Sequence, residues 1–234
     1  MILVVNAGSS NVKYAVYDNM LALVHKDQVD TMQGLFDWLT ANKQKYRISS
    51  VGHRIVHGGT MFFNPIVLTA QIIEQLEELV PLAPLHLPHN IAAVKFLQQA
   101  YPDLKQVGCF DTAFHRTQNK LAKQFAIPNE LTDLGIIRYG FHGLSYEYIA
   151  SVIENKLDID LSKKIIIAHL GNGASMCAME NGRSVATTMG FSVLDGLMMG
   201  TRGGSIDPGV LLYLLQEKNY TLEQLSDLLY KKSG

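Results

Sequence analysis

Hydrophobic residues in this chain occur in short runs, and two of these runs lead into a turn of small residues and a second apolar run. In the later copy, IIIAHLGNGAS at 165–175, the turn contains Gly171 and Gly173, and the apolar run 174–178 follows. This pattern predicts a strand, a glycine turn and a strand. Glycines lack a Cβ atom, so their backbone N–H groups can closely approach a phosphate. Taken alone, the segment favours an ordinary hairpin.

The chain begins with the same pattern. An apolar run at 2–5 leads into the small residues 6–10, and a second apolar run covers 12–17. A tight-turn dipeptide and a third possible strand follow each copy. We interpret the repeat as an internal duplication, and we expect two similar domains that face each other across a nucleotide.

The rest of the chain alternates between helix and strand patterns, as in an α/β fold. Helices are predicted at 31–46, at 72–80, after His89, at 146–157, from Asp207 and from Thr221, and strands at 48–55 and 107–110. Three prolines within 81–88 predict an irregular, rigid loop that holds Leu85 and His86 in fixed positions. His89 is expected to begin or cap the helix that follows this loop.

Three polar residues are candidates for chemistry on local grounds, and each has a structural alternative. Arg54, at a strand end beside paired glycines, can offer a bidentate donor to a carboxylate or phosphate, or form a surface salt bridge. Asp111 follows a strand at its carboxyl end, where ligands of open α/β sheets bind, or it caps the next turn. His142 and Phe141, between two glycines, can face a ligand or simply be packed.

The composition indicates a folded protein without a general affinity for polyanions. The 234 residues are 47% hydrophobic and 18% charged, with a formal net charge of -1, which argues against nucleic acid or anionic membrane as a partner. No window approaches the ~20 apolar residues of a membrane span. Cys109 and Cys177 lie in apolar runs and are predicted to be buried, reduced thiols. We therefore expect a soluble, cytoplasmic protein.

Seven motifs, in this order, resemble those of the acetate kinase family within the actin, sugar-kinase and Hsp70 superfamily: VNAGSSNVKY, GHRIVHGG, PLAPLH, FDTAFH, RYGFHG, AHLGNGAS and GLMMGTRGGSIDPG. The resemblance implies duplicated RNase H-like (actin-like ATPase) domains, an acyl-substrate domain at 1–157 and the beginning of a nucleotide-binding domain at 158–234. The second domain is expected to be incomplete, because no counterparts of the strands at 48–55 and 107–110 follow the second hairpin. Its sheet should then have an unpaired edge and exposed apolar helix faces.

The reaction implied by the resemblance is reversible phosphoryl transfer between ATP and acetate, or another short carboxylate, giving acetyl phosphate and ADP with Mg²⁺ in a homodimer. Such a reaction needs in-line positioning and neutralisation of charge on a loose transition state. By position in the motifs, Arg54 and Arg202 would clamp the carboxylate and the phosphoryl group, His142 would donate to the transition state, and Asp111 would orient the substrate or help hold the metal. The remaining implied contacts are Val56, Leu85 and Phe141 for the acyl group, His169, Gly171, Asn172 and Gly173 for the nucleotide, Ser9 and Ser10 for phosphate, and Asn6 for the metal.

The chain departs from the family's pattern at several positions near this expected site. They are Asn11, Leu87, Leu144, Tyr146, Ala186, Val193 and Ser205. The resemblance also places an adenosine-binding glycine motif and a metal-binding glutamate beyond residue 234, so the chain by itself is expected to lack part of the active site. The alternative hypothesis is a non-catalytic relative that keeps the cleft as a ligand-binding or partner protein.

Overall fold

The computed structural model describes all 234 residues, which form two compact units, Met1–Ala113 and Phe114–Gly234. This division falls before the predicted domain boundary at residues 157 and 158, which stays a prediction. No helix is both long enough and apolar enough to cross a membrane.

A six-stranded mixed sheet forms the centre of the first unit. Its strands are β1 (Ile2–Ala7), β2 (Val12–Tyr17), β3 (Leu23–Val29), β4 (Ser50–Ile55), β5 (Ile66–Val67) and β6 (Lys105–Phe110). They lie in the order β3-β2-β1-β4-β6-β5, with β1, β4 and β6 parallel and the other pairs antiparallel. The first predicted hairpin is confirmed, and so are the predicted strands that became β4 and β6. The carboxyl ends of β1, β4 and β6 therefore meet at one edge of this sheet.

Three α-helices accompany this sheet: α1 (Met32–Ala41), α2 (Ala70–Glu78) and α3 (Leu87–Ala100). Thr31 and Thr69 begin the first two, because each hydroxyl accepts a backbone N–H of the first turn. The predicted helix 31–46 was too long, because α1 ends at Ala41 and Asn42 is its C-cap. The side-chain amide of Asn42 donates to the Trp38 carbonyl at 2.9 Å and satisfies a terminal acceptor.

The predicted irregular loop 81–88 was wrong at both ends. Residues Val80–Leu82 form a 3₁₀ turn, and α3 already begins at Leu87 with Pro88 in its first turn. Proline is tolerated there because the first N–H groups of a helix have no partner within the helix. His89 consequently lies inside α3 and does not begin it.

Apolar side chains alternate along the strands and place the core of the first unit on one face of the sheet. Leu3 and Val5 of β1 are fully buried, together with Leu35 of α1 and Leu97 of α3. Asn6 lies on the opposite side of β1 from these residues, as the period of two requires. Burying one such leucine contributes about 1.5–3 kcal/mol, so this register is strongly favoured over a shift by one residue.

The second unit contains a three-stranded antiparallel sheet and five α-helices. The strands are β7 (Lys164–Leu170), β8 (Ala174–Glu180) and β9 (Arg183–Thr187), and the helices are α4 (Lys120–Lys123), α5 (Asn129–Asp133), α6 (Gly143–Leu157), α7 (Pro208–Gln216) and α8 (Leu222–Lys231). β7 and β8 form the second predicted hairpin, in which His169 is opposite Ser175. Tyr146 of α6 packs with Ile167, Cys177 and Met179 of the sheet. The predicted Asp207 cap and the capping box of Thr221 and Gln224 are confirmed.

The second unit also exposes apolar surface, as the sequence predicted. β7 is an edge strand, on which Ile166 and Leu170 are more than 70% exposed. No residue of α7 is buried. Neither cysteine is in a disulfide, but only Cys177 is buried; Cys109 is partly exposed, since its side chain alternates with the buried Phe110. The prediction of buried thiols is therefore correct for Cys177 and wrong for Cys109.

Candidate functional site

In the first unit, three predicted site residues converge at the carboxyl ends of parallel strands. Arg54 is at the end of β4, Asp111 directly follows β6, and Asn6 is near the end of β1. Arg54 donates to Asp111 Oδ2 from Nε at 2.9 Å and from Nη2 at 2.5 Å, and to Asn6 Oδ1 from Nη1 at 3.1 Å. The order of the strands therefore places the Arg54 guanidinium between two acceptors, Asp111 and Asn6.

Asp111 and Arg54 differ sharply in exposure. The Asp111 side chain is 3% exposed and the Arg54 side chain 40% exposed. The buried carboxylate raises the pKa of Arg54 above its ordinary value, mainly through the attraction between the two charges. Of the five N–H groups of a guanidinium, three are used here, which leaves one on each Nη atom. That edge is the one that binds carboxylate or phosphate in a bidentate manner.

Asn90, a residue that sequence reasoning missed, ties together the strand ends that carry this group. It is buried on α3, donates to the Ala7 carbonyl at 2.8 Å and accepts from the Val56 N–H at 3.0 Å. Ala7 follows Asn6, and Val56 comes two residues after Arg54. One side-chain amide therefore fixes the spacing between the ends of β1 and β4.

The other predicted residues of the first unit are placed as follows. Val56 is buried, whereas Leu85 is 43% exposed in the segment before α3. Ser9 and Ser10 lie in the exposed turn between β1 and β2 and form no hydrogen bond with the Asn6, Arg54 and Asp111 group. Their predicted roles in binding the acyl group and phosphate stay predictions.

In the second unit, the side chains of an arginine and a histidine meet at the glycine turn between β7 and β8. A Cβ atom added to Gly173 would be 3.0 Å from Arg202 Nη2 and 3.0 Å from His142 Nε2. Both groups therefore reach the same point of the turn, and the missing side chain of Gly173 keeps that point open. Arg202 is fixed by donating from Nη1 to the Val193 carbonyl at 2.8 Å, and burial lowers its pKa below the ordinary value. An arginine with a lowered pKa still carries its charge at neutral pH.

The backbone at His142 is held in an uncommon conformation. His142 has φ of +61° at the beginning of α6, a left-handed region that non-glycine residues rarely occupy. Such strain persists where the surroundings impose it, and it is concentrated at functional sites. The preceding Gly140 has φ of +72°, and a Cβ there would be 2.6 Å from a His115 ring carbon. His115 in turn donates from Nε2 to the carbonyl of the buried Phe141 at 3.0 Å.

His142 also contacts other side chains of the hairpin and of α6. Its ring stacks on the His169 ring with centroids 4.0 Å apart. His169 Nδ1 is 3.0 Å from Ser145 Oγ, and His142 Nδ1 is 2.8 Å from Ser175 Oγ. Of the predicted nucleotide contacts, Gly171 and Asn172 are exposed at the tip of the turn. The structure therefore joins His142, His169, Gly173 and Arg202 in one group.

Sequence reasoning missed three buried polar residues, two in this unit and one in the first, although a signal for two of them was present. Ser175 is on the buried side of β8 together with Cys177 and Met179, so a polar residue interrupts an apolar alternation. Asn90 similarly falls on the buried stripe of α3 between Leu87 and Val94, although it belongs to the first unit. His115 had no such local signal.

The residues also fit a divalent cation that is bound mainly through nucleotide phosphates. No group of three or more His, Cys, Asp or Glu side chains is arranged to hold a metal. Mg²⁺ in nucleotide sites often uses only one or two carboxylates plus phosphates and water. The two hydrogen bonds that Arg54 donates to Asp111 both go to Oδ2, so Oδ1 is the oxygen available to bind a metal ion. Asn6 is a weaker candidate, since its Oδ1 already accepts from Arg54.

The hairpin-based sheets with their helices place the chain in the duplicated RNase H-like, actin-like ATPase class, which contains phosphotransferases. The family model described as the acetokinase family matches residues 20–234. The chain belongs to the acetokinase family.

Relatives with known names agree with this assignment. The chain is 44% identical to an acetate kinase of Rhodopseudomonas palustris (strain TIE-1), with 100% of the chain and 68% of that protein aligned. It is 40% identical to an acetate kinase of Rickettsia typhi, of which it covers 69%. Among solved structures, it resembles a propionate kinase from Francisella tularensis with a TM-score of 0.92 and 36% identity, covering 68% of that chain. An acetate kinase from Porphyromonas gingivalis gives a TM-score of 0.88 at 34% identity.

Proposed function

We propose that this chain takes part in reversible phosphoryl transfer between ATP and acetate or another short carboxylate. The observation that carries the proposal is the guanidinium of Arg54, which Asp111 and Asn6 hold with its outer edge open. That edge offers one N–H from each Nη atom, the spacing that a planar carboxylate or an acyl phosphate accepts. A lysine or a free arginine would lack this fixed geometry.

The second group supplies what a loose phosphoryl-transfer transition state needs. In this proposal, Arg202 and His142 donate to the equatorial oxygens of the transferring phosphoryl group, and Gly173 leaves room for it. His169, Gly171 and Asn172 contact the nucleotide phosphates. Val56, Leu85 and Phe141 form the acyl pocket, and Ser9 and Ser10 bind phosphate. The proposed transfer proceeds without a covalent enzyme intermediate.

The proposed cofactor is Mg²⁺ bound with ATP or ADP, with Asp111 Oδ1 as its side-chain ligand and Asn6 beside it. When bound, the cation would neutralise charge on the nucleotide phosphates. Asp111 would therefore serve both the metal and Arg54. We further propose that the chain forms a homodimer, because the exposed apolar faces of β7 and α7 suit a protein partner. The proposed location of this protein is the cytoplasm.

A binding experiment tests the role of Arg54. Calorimetric titration of the chain with acetyl phosphate should give an affinity that Arg54→Gln lowers at least about tenfold, since a charge-assisted hydrogen bond contributes roughly 1.5–3 kcal/mol. Arg47→Gln is the matched control, because Arg47 is an exposed arginine of the same unit. Equal affinities for the two variants would contradict the assignment of Arg54.

A turnover experiment separates the enzyme from the non-catalytic alternative. The chain is assayed alone, and fused to the part of the R. palustris acetate kinase that lies outside the aligned 68%, for acetyl phosphate made from ATP and acetate and trapped with hydroxylamine. Propionate and butyrate are tested in parallel. Ligand binding without turnover in either form would favour a ligand-binding relative over an enzyme.

A further inference from the structure

A buried serine links the side chain of His142 to a tyrosine of α6. Ser175 Oγ is 2.8 Å from His142 Nδ1 and 2.5 Å from the Tyr146 hydroxyl. Ser175 and Tyr146 are both fully buried, so water does not compete for these hydrogen bonds. The three side chains form a hydrogen-bonded series, in which the position of each proton limits where the next proton can lie.

The direction of these hydrogen bonds, from donor to acceptor, follows from the number of protons that the three side chains carry. Burial raises the pKa of Tyr146, so the hydroxyl carries its proton at neutral pH. Ser175 Oγ is the hydrogen-bond partner of the Tyr146 hydroxyl, so it is the acceptor for the phenol proton. The Ser175 hydroxyl, with one proton of its own, then donates to His142 Nδ1.

The opposite direction leaves a buried proton without an acceptor. If His142 Nδ1–H donated to Ser175, and Ser175 donated to Tyr146, the phenol proton would have no partner in a fully buried site. A buried donor without a partner is disfavoured by about tenfold or more in population. The first direction gives the phenol proton and the serine proton an acceptor each and is therefore favoured.

We infer that Tyr146, acting through Ser175, is a positioning residue that holds His142 in the neutral tautomer with its proton on Nε2. Nε2 is the nitrogen that reaches Gly173 beside Arg202. The tautomer therefore presents an N–H donor where the transferring phosphoryl group is proposed to lie. The consequence for catalysis rests on the proposed function, whereas the tautomer itself does not.

The test is a measurement of the tautomer by long-range ¹H–¹⁵N correlation NMR on the chain labelled with ¹⁵N-histidine. The spectrum is recorded well above the ordinary histidine pKa of about 6.5, so that neutral rings are observed. The chain has eight histidines, and the signals lost in His142→Gln identify those of His142. We expect a protonated Nε2 and an unprotonated Nδ1. A protonated Nδ1 in the unmodified chain would overturn the inference.

Two tyrosine variants test the origin of the tautomer. Tyr146→Phe removes only the hydroxyl, after which Ser175 can accept from Nδ1–H, and the preference for the Nε2–H form should fall about tenfold. Tyr148→Phe is the control, because Tyr148 lies on the same helix and is 61% exposed. It should leave the spectrum unchanged. An unaltered tautomer in a folded Tyr146→Phe chain would overturn the role of Tyr146.

Should Tyr146→Phe not fold, the tautomer of the unmodified chain still decides the inference. In an active enzyme, Tyr146→Phe should lower kcat about tenfold and leave KM for the carboxylate unchanged, since only the transition-state donor is affected. An Nε2–H tautomer in a chain that shows neither binding nor turnover would support this inference and contradict the proposed function. The two proposals can therefore fail separately.

Discussion

Asn90→Ala should destabilise the first unit and loosen the candidate site together. The substitution removes hydrogen bonds of 2.8 and 3.0 Å and leaves the Ala7 carbonyl and the Val56 N–H without partners in a buried environment. Each lost buried bond costs about 1–3 kcal/mol. Alanine recovers up to roughly 0.7 kcal/mol in helix propensity. For two bonds, less this recovery, the expected net loss is about 1–5 kcal/mol in the free energy of unfolding.

The single tryptophan makes this loss measurable in the first unit alone. Trp38 packs against the core cluster of that unit, so its fluorescence during urea denaturation reports unfolding there. With a slope of about 2 kcal/mol per molar urea, the midpoint should fall by about 0.5–2.5 M. Gln99→Ala, an exposed position of α3, is the matched control and should change the midpoint little. Equal midpoints for the two variants would refute the proposed clamp between β1 and β4.

Three further predictions concern binding, pH and association. Gly173→Ala should keep the fold and weaken acetyl phosphate binding at least about tenfold by calorimetry, because its methyl group would occupy the point where two donors meet at 3.0 Å. Burial lowers the pKa of His53 to about 4, and its unfolded value is about 6.5, so the unfolded state binds more protons between these values. The contribution of His53 to stability should be constant above pH 6.5 and fall by about 3 kcal/mol towards pH 4. In urea titrations, His53→Gln should make the pH dependence shallower by this amount, while His57, whose pKa burial also lowers to about 4, keeps its own contribution. Ile166→Lys with Leu170→Lys should lower self-association in sedimentation experiments if the exposed face of β7 is an interface.

The elements that the sequence predicted well depend on local patterns. The two hairpins follow from a period of two and from glycines at the turns, and neither signal needs information about distant residues. The same is true of the Asp207 cap and of the capping box at Thr221. The end of α1 was misplaced because residues 43–46 contain no glycine or proline to mark a helix end, whereas the side chain of Asn42 satisfies a terminal carbonyl and ends the helix there.

The sequence suggested candidate site residues, but it could not predict the contacts that they make with one another. Asp111 could be placed at a strand end from the sequence, but its pairing with Arg54 depends on β4 and β6 being neighbours. Strand order in a mixed sheet is a property of the whole fold. The buried polar residues were harder still, because Asn90 and Ser175 act by hydrogen bonds to segments far away in the chain. Their only local signature is a polar residue at a position where the periodicity predicts an apolar one.

The Tyr146 departure from the family's pattern illustrates why a substitution near a site need not remove a function. By the resemblance of the motifs, the family has a histidine at this position, and an imidazole nitrogen can act as donor or acceptor. A buried phenol whose hydrogen-bond partner is Ser175 needs that partner as the acceptor for its proton. It therefore orients Ser175 in one direction only, and through Ser175 it orients His142. Replacing a group of two possible orientations by a group of one narrows the set of proton arrangements, so we expect this departure to fix the tautomer of His142 more tightly than the histidine it replaces.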